Sequence, residues 1–428
     1  MQTELPTAFL ESDDGKRAND ILRACVHCGF CNATCPTYQE TGDELDGPRG
    51  RIYLIKTLLE AGYGDEMNGP RDASAERAQQ HLDRCLTCRA CETTCPSGVA
   101  YGELAEIARD SLSERRPRSR WQRLIRWLLL TQVGSAGRFR LWTALGRSVR
   151  PLLPRDLAAA VPATPNKLRS AEGSVEPPPA VFAGKRYLLL GGCAQRATTP
   201  TTGRALARYL TARGASLLSR RGEPCCSALP LHLGDVERTR DGLLRWLSWI
   251  EPIVDGLDAI VSSASGCGVT VKEFDRLVPR YLAEHPAVSA DRRAELLTLA
   301  AVVAQKTVDA SDLITPATAP VATRSDDALA WHSPCSLQHG QSSGQSVPAV
   351  LECAGYRLVR VAEAHLCCGS AGTYSVLQPA MSDRLRRRKL TALMAGNPTL
   401  IATANVGCQL HLGSAASLPV VHWLELIQ

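Results

Sequence analysis

Cysteine spacing constrains this chain more than any other feature. The run Cys25-x-x-Cys28-x-x-Cys31-x-x-x-Cys35-Pro36 recurs sixty residues later as Cys85-x-x-Cys88-x-x-Cys91-x-x-x-Cys95-Pro96. Two-residue gaps let a tight turn aim three sulfurs at one point, while a three-residue gap and a proline turn the fourth away. A duplicated run of this kind is a ligand set for two 4Fe–4S cubanes, with each fourth cysteine serving the other cube. The predicted assignment is therefore crossed. Cys25, Cys28, Cys31 and Cys95 hold one cluster; Cys85, Cys88, Cys91 and Cys35 hold the other.

The competing readings of these thiols are weaker. Zinc sites use paired Cys-x-x-Cys units or add histidine, and have no need of the third and fourth positions. Disulfide frameworks belong to short secreted chains, whereas this one has 428 residues and a polar, acidic N-terminus without a secretory pattern. Seventeen cysteines, a high and odd count, fit reduced metal-binding thiols in the cytoplasm better than paired bridges. No window approaches 18 uninterrupted apolar residues, so membrane association is expected to be peripheral.

The fold class follows as α+β and multidomain. An α-helical, ferredoxin-type domain with both cubane motifs is expected over residues 15–112. Between the motifs, the apolar period from Arg51 to Gly62, with Pro48 near its start, predicts a helix. Residues 113–183 are expected to be an arginine-rich amphipathic segment followed by a proline-rich linker with prolines at 162, 165, 177, 178 and 179.

The net charge of +6 is concentrated in that segment. Residues 115–155 carry eleven arginines and no acid, and the remainder has 38 basic against 43 acidic residues. Trp121, Leu124, Ile125, Leu128 and Leu129 recur at helical spacing with arginines opposite. The pattern suits an interfacial helix on an anionic membrane or a docking face for an acidic partner subunit. It equally suits a solvated connector with one buried face. No nucleic-acid partner is expected, because the segment lacks interleaved aromatics and any reader motif.

Beyond the linker the chain repeats. Cys193, Cys225, Cys226 and Cys267 reappear as Cys335, Cys367, Cys368 and Cys408, at offsets of 142, 142, 142 and 141. Apolar runs end at or just before the first and last cysteine of each set, and helical stretches such as 202–210 and 382–394 alternate with them. That alternation predicts two α/β modules with parallel sheets, over residues 184–310 and 325–428. Ligand sites of such sheets lie at the strand C-terminal ends, where these cysteines fall. Each set of four either ligates a further cluster or metal, or consists of small buried thiols. The second set is favoured as a ligand set, since Gly369 follows its adjacent pair where the first has Ser227. His332, His339, His365 and His411 lie near these cysteines and are either ligands, proton relays or hydrogen-bonded structural residues. No phosphate-binding glycine loop, dinucleotide fingerprint or nucleophile elbow occurs, so the chain is expected to carry no FAD or NAD and no catalytic residue of its own.

The segments ILRACVHCGFCNATCPTY, GDELDGPRGRIYLIK, HLDRCLTCRACETTCPSGV, SASGCGVTVKE, SLQHGQ, HLCCGSAGTYSV and TANVGCQLHL carry a resemblance over nearly the whole chain. The chain resembles the iron–sulfur subunits of bacterial glycolate oxidase. Its repeated modules are similar to the paired CCG domains of heterodisulfide reductase, anaerobic glycerol-3-phosphate dehydrogenase and lactate-utilisation proteins. The resemblance implies a complex in which FAD-binding subunits oxidise glycolate, and D-lactate, to glyoxylate. A flavin accepts a hydride's two electrons, and each cubane then takes one at a time. This chain would relay them towards quinone or another membrane acceptor, at the cytoplasmic face of the cell membrane. A lactate or glycerol-3-phosphate dehydrogenase subunit, or a heterodisulfide-reductase-like subunit, is the alternative. Two departures bear on it: Ser227 replaces glycine, and Cys267 and Cys408 stand alone where that reductase has Cys-x-x-Cys, with Ala264 and Asn405 three residues before them.

Overall fold

The computed structural model describes every residue except 62–72, 116–117, 150–178, 219, 284, 286–287 and 321–326. Four helices frame the N-terminal unit: Asp13–Ala24, Pro48–Glu60, Ala73–Asp83 and Tyr101–Arg115. Ser12 caps the first by accepting from the Gly15 amide at 3.0 Å, and Pro48 opens the second, where a missing amide hydrogen costs nothing. The second spans most of the stretch predicted from periodicity; Gly62, its expected stop, lies outside the described residues. Leu22, Ile55, Leu58, Leu59, Leu82 and Leu104 close the core between these helices. Burying each such side chain contributes about 1.5–3 kcal/mol. The two cysteine runs occupy loops held by these helix ends. One follows Asp13–Ala24 and the other follows Ala73–Asp83.

The arginine-rich segment forms two helices, Arg120–Val133 and Ala136–Val149. A connector with a buried apolar face is not what is found. No residue of Arg120–Val133 is buried, and its apolar stripe points outward, with Trp121 75% exposed. Its polar side faces the protein instead: Arg126 donates to the Leu233 carbonyl at 3.3 Å and to Asp83 at 3.2 Å. Most of the proline-rich linker lies outside the described residues.

The rest of the chain is two parallel four-stranded sheets flanked by helices. Strands β1 (Arg186–Leu190), β2 (Ser216–Leu218), β3 (Ala259–Ser262) and β4 (Thr307–Asp309) lie in the order β2-β1-β3-β4. Strands β5 (Ala328–His332), β6 (Arg357–Leu358), β7 (Leu400–Thr403) and β8 (Val420–His422) repeat it as β6-β5-β7-β8. Every pairing is parallel, and β3 and β7 are buried throughout, as expected of sheets covered on both faces. Module 1 is the longer, because helices Phe274–Leu282 and Ala290–Lys306 precede β4.

The two modules share one core. Tyr209, Leu210, Val261 and Ile314 of the first pack in one cluster with Leu329, Leu351, Trp423 and Leu424 of the second. The closing residues reach across: Glu425 accepts from Thr202 at 2.6 Å, and Gln428 donates to the Ala205 carbonyl at 3.4 Å. Both modules also grip the N-terminal unit. Arg276 donates to the fully buried Glu106 at 2.8 Å, Arg280 to Asp14 and Asp110, and Arg89 to Glu273. From module 2, Tyr374 donates to the Arg84 carbonyl at 2.9 Å and Arg388 to Glu40 at 3.0 Å.

Candidate functional site

The two cysteine runs fold alike because their backbones make the same unusual turns. His27 and Gly29 have φ of 56° and 84°, and the matching Thr87 and Arg89 have 53° and 61°. Three of these four are not glycine, and a left-handed residue with a side chain costs about 1–2 kcal/mol. Such conformations persist only where the surroundings over-determine them, and they gather at functional sites. Here they turn three successive sulfurs of each run to one side.

Two bays result. An outer cavity of about 30 Å³ is lined by Cys25, Cys28, Cys31 and Cys95, with Arg49 and Ile52 at its wall. An inner cavity of about 20 Å³ is lined by Cys35, Cys85, Cys88 and Cys91, with Arg51, Arg89 and Tyr101. The fourth cysteine of each run thus stands with the first three of the other, although Cys91 also borders the outer cavity. Four thiols around a small cavity, twice, are the donor set that a 4Fe–4S cube requires.

The bays differ in charge. In the outer one, burial pushes Cys25 up and pushes Cys31 up to about 11, with the neighbouring thiols adding to it. In the inner one, burial pushes Cys88 and Cys91 well up; it would push Cys85 up too, but the Arg51 and Arg109 guanidiniums and the Tyr101 hydroxyl outweigh it and hold that one thiol below its ordinary value. Tyr101 donates to Cys85 Sγ at 3.5 Å, and the Thr87 amide does so at 3.4 Å. Arg51 is 1% exposed, donates to the His81 carbonyl at 2.8 Å and to Thr37 at 3.1 Å, and approaches Cys35 Sγ at 3.9 Å. Its counter-charge is Asp46, fully buried, which also holds His81 at 2.7 Å and Arg84 at 2.9 Å. Sequence reading missed Arg51. Its signal is an arginine on the buried stripe of a helix, in register with Ile55 and Leu58.

The second set of cysteines gathers at the strand C-terminal ends of each module. In module 1, Cys193 and Cys225 Sγ are 3.9 Å apart, and Cys226 interacts with both Cys225 and Cys267. In module 2, Cys335 and Cys367 are 3.7 Å apart, and Cys368 and Cys408 are 3.4 Å apart. Ser227 occupies the left-handed region at φ 67°, where Gly369 sits without strain at φ 90°. Of the four histidines, only His332 stands with the thiols: its ring, Cys368 Sγ and Cys408 Sγ lie within 4.8 Å of one another. His339 bridges units instead, with Nδ1 2.8 Å from Thr93 Oγ1 and Nε2 3.1 Å from the His365 carbonyl. His411 lies 3.3 Å from Ser382 Oγ. The inner bay abuts module 2, where Leu86 and Cys88 pack with Cys335, Cys367 and Tyr374.

A helical unit with two four-thiol bays, joined to paired cysteine-rich α/β modules, defines an iron–sulfur protein of electron transfer. Residues 21–99 match the 4Fe-4S dicluster domain family, and residues 187–272 and 329–413 match the cysteine-rich CCG domain. The glycolate oxidase iron–sulfur subunit of Escherichia coli K12 is 42% identical over 433 residues, covering all of this chain and 98% of that protein. The probable glycolate oxidase iron–sulfur subunit of Bacillus subtilis 168 is 28% identical, again over the whole chain. A fumarate reductase (CoM/CoB) subunit from Methanothermobacter marburgensis is 25% identical over 95% of the chain and 72% of that protein. This chain belongs to the family of glycolate oxidase iron–sulfur subunits.

Proposed function

We propose that this chain relays electrons, through two 4Fe–4S cubes with crossed ligation, from an FAD-bearing partner that oxidises glycolate to an acceptor at the membrane. The grouping of Cys95 with Cys25, Cys28 and Cys31, and of Cys35 with Cys85, Cys88 and Cys91, carries the reading. The cubes would accept and release one electron each, splitting a flavin's pair. The protein's own part is to hold the thiolates, to set the field about each bay, and to offer surfaces to its partners. Arg51, Arg109 and Tyr101 stabilise negative charge on Cys85 in the inner bay. Exposed Val26 and Phe30 beside the outer bay suit contact with the flavin subunit.

The outward stripe of Trp121, Leu124, Ile125, Trp127 and Leu128 on an arginine-rich helix supports docking at the cytoplasmic face of an anionic membrane. No helix among the described residues is long and apolar enough to cross a membrane. In flotation with vesicles containing anionic lipid, the wild type is expected to bind and Trp121→Glu/Leu128→Glu to lose most binding. Wild-type protein that stays unbound refutes membrane docking and leaves the relay untouched.

The relay itself is tested by anaerobic iron and sulfide analysis together with reduction by glycolate through the reconstituted flavin partner. About eight irons in two reducible cubes are expected. A chain holding less iron, or one whose cubes stay oxidised while the partner turns over glycolate, refutes it. Likeness along most of the chain to a CoM/CoB fumarate reductase favours a second reading, redox chemistry at the repeated modules. Turnover of a disulfide substrate by the isolated chain would establish that reading.

A further inference from the structure

We propose that the arginine-rich hairpin is a rigid foot, clamped to the rest of the chain from within, that holds the molecule in one attitude on an anionic bilayer and so delivers electrons to a quinone dissolved there. This deepens the membrane docking proposed above and rests on it. Helices Arg120–Val133 and Ala136–Val149 both turn large apolar side chains outward: Trp121, Trp127, Leu128, Leu141, Trp142 and Leu145 are between 38% and 75% exposed. Single exposed apolar residues are ordinary, but a group of them on two joined helices marks a surface that something covers. Arg138 donates to the Thr131 carbonyl across the turn at 2.9 Å, which ties the two helices into one body.

The inward contacts separate a foot from a loose tether. Arg118 donates to both Asp83 oxygens, at 2.5 and 2.8 Å, and Arg126 donates to Asp83 and to the Leu233 carbonyl. Arg140 donates to the Arg196 carbonyl at 3.3 Å. The receiving groups are helix ends. Asp83 is the last residue of Ala73–Asp83, Leu233 the last of Ala228–Leu233, and Arg196 lies in the last turn of Cys193–Thr198. Carbonyls there lack a partner within their own helix and carry partial negative charge, so guanidiniums suit them. A carboxylate at a helix C-terminus is unfavourable by itself, and the two cations on Asp83 offset that. Attachment to both the N-terminal unit and module 1 fixes the hairpin's attitude.

Charge selects the occupant. Residues 115–155 hold eleven arginines and no acid. Arg118, Arg126 and Arg140 bond to the protein, while Arg120 and Arg123 are exposed beside the apolar stripe of the first helix. Cations flanking exposed tryptophans and leucines suit the boundary between anionic headgroups and acyl chains. Per turnover, glycolate gives up two electrons and two protons to become glyoxylate. The two electrons, passed singly, and two protons from water convert the quinone to its quinol. A foot that keeps one side of the molecule against the bilayer makes that transfer frequent; a swinging tether does not.

The test uses the complex with its flavin partner, glycolate as donor, and vesicles of anionic lipid containing a quinone. The wild type is expected to float with the vesicles and to reduce both the quinone and a soluble dye. Asp83→Asn is expected to float equally well, to keep its iron and its rate with the dye, and to reduce the quinone at least tenfold more slowly. Hydrogen exchange across residues 120–149 should rise in the free variant as the clamp opens. Asp83→Glu should restore most of the quinone rate. Arg118→Gln/Arg126→Gln opens the clamp from the side away from Cys85 and should repeat the loss. Quinone reduction at the wild-type rate once the clamp is open overturns the proposal, as does a loss of equal size with the dye in the double variant. A wild type that floats but leaves the quinone oxidised also overturns it. So does a hairpin protected by the flavin partner without lipid, which would be a subunit interface. A wild type that does not float refutes the membrane docking itself, and the foot with it.

Discussion

The outer and inner bays share one cysteine spacing and differ in nearly everything around it. Cys28 is exposed, and Val26 and Phe30 beside it are 68% and 63% exposed. The inner bay is roofed by module 2 and floored by Arg51. Spacing therefore fixes where the sulfurs point, while the chain around them decides what each bay does. An open bay without buried cations suits exchange with a partner. A covered bay beside buried guanidiniums stabilises an added electron, so electrons entering outside are expected to run inward.

The strongest way to break that comparison is to exchange which bay is damaged. Cys35→Ser lies in the first run but is expected to cost the inner cube, and Cys95→Ser the outer. Each should lose about half the iron and one of two paramagnetic signals, as the shared-ligand arrangement requires. Loss of the cube belonging to the mutated run would end the crossed assignment. Next in size is Arg51→Met. Removing one charge near the inner bay should lower that cube's potential by on the order of 50–100 mV, the Coulomb energy across several ångströms at an effective dielectric near 20. Arg51→Lys should retain most of the potential, and potentiometric titration should find the outer cube unmoved in both. Smallest is Phe30→Asp, which should slow electron entry from a reduced flavoprotein about tenfold, equivalent to some 1.4 kcal/mol of lost contact, with iron content unchanged. An equal slowing with a small chemical reductant would show that the substitution damaged the bay rather than a docking surface.

The grouping of the thiols and the repeat of the modules were legible in sequence because both are written locally. Two- and three-residue gaps leave a cysteine little freedom, and an offset of 142 or 141 kept across four positions carries a whole supersecondary unit. Facing directions were not. The stripe of Trp121, Leu124 and Leu128 has the period of a buried face, yet it is the side turned to solvent, because Asp83 and the Leu233 carbonyl draw Arg126 inward. Asp83 is 37 residues before the helix start and the Leu233 carbonyl 100 residues past its end, so no local pattern records them. The four histidines are likewise alike in sequence. Only the meeting of the end of β5 with Cys368 and with Cys408 on helix Val406–Gly413 singles out His332. Arg51 stayed hidden among apolar neighbours, because its partners Asp46, Thr37 and His81 come from three separate segments.

The strap of residues 423–428 across module 1 has a consequence in time. Helix Pro200–Ala212 is synthesised long before Trp423, Leu424 and Ile427 exist to cover it. At about 5–20 residues per second, its apolar flank waits on the order of 10–40 s for that cover. Until then the nascent chain leaves that flank uncovered, and module 1 closes only once residues 423–428 have been made.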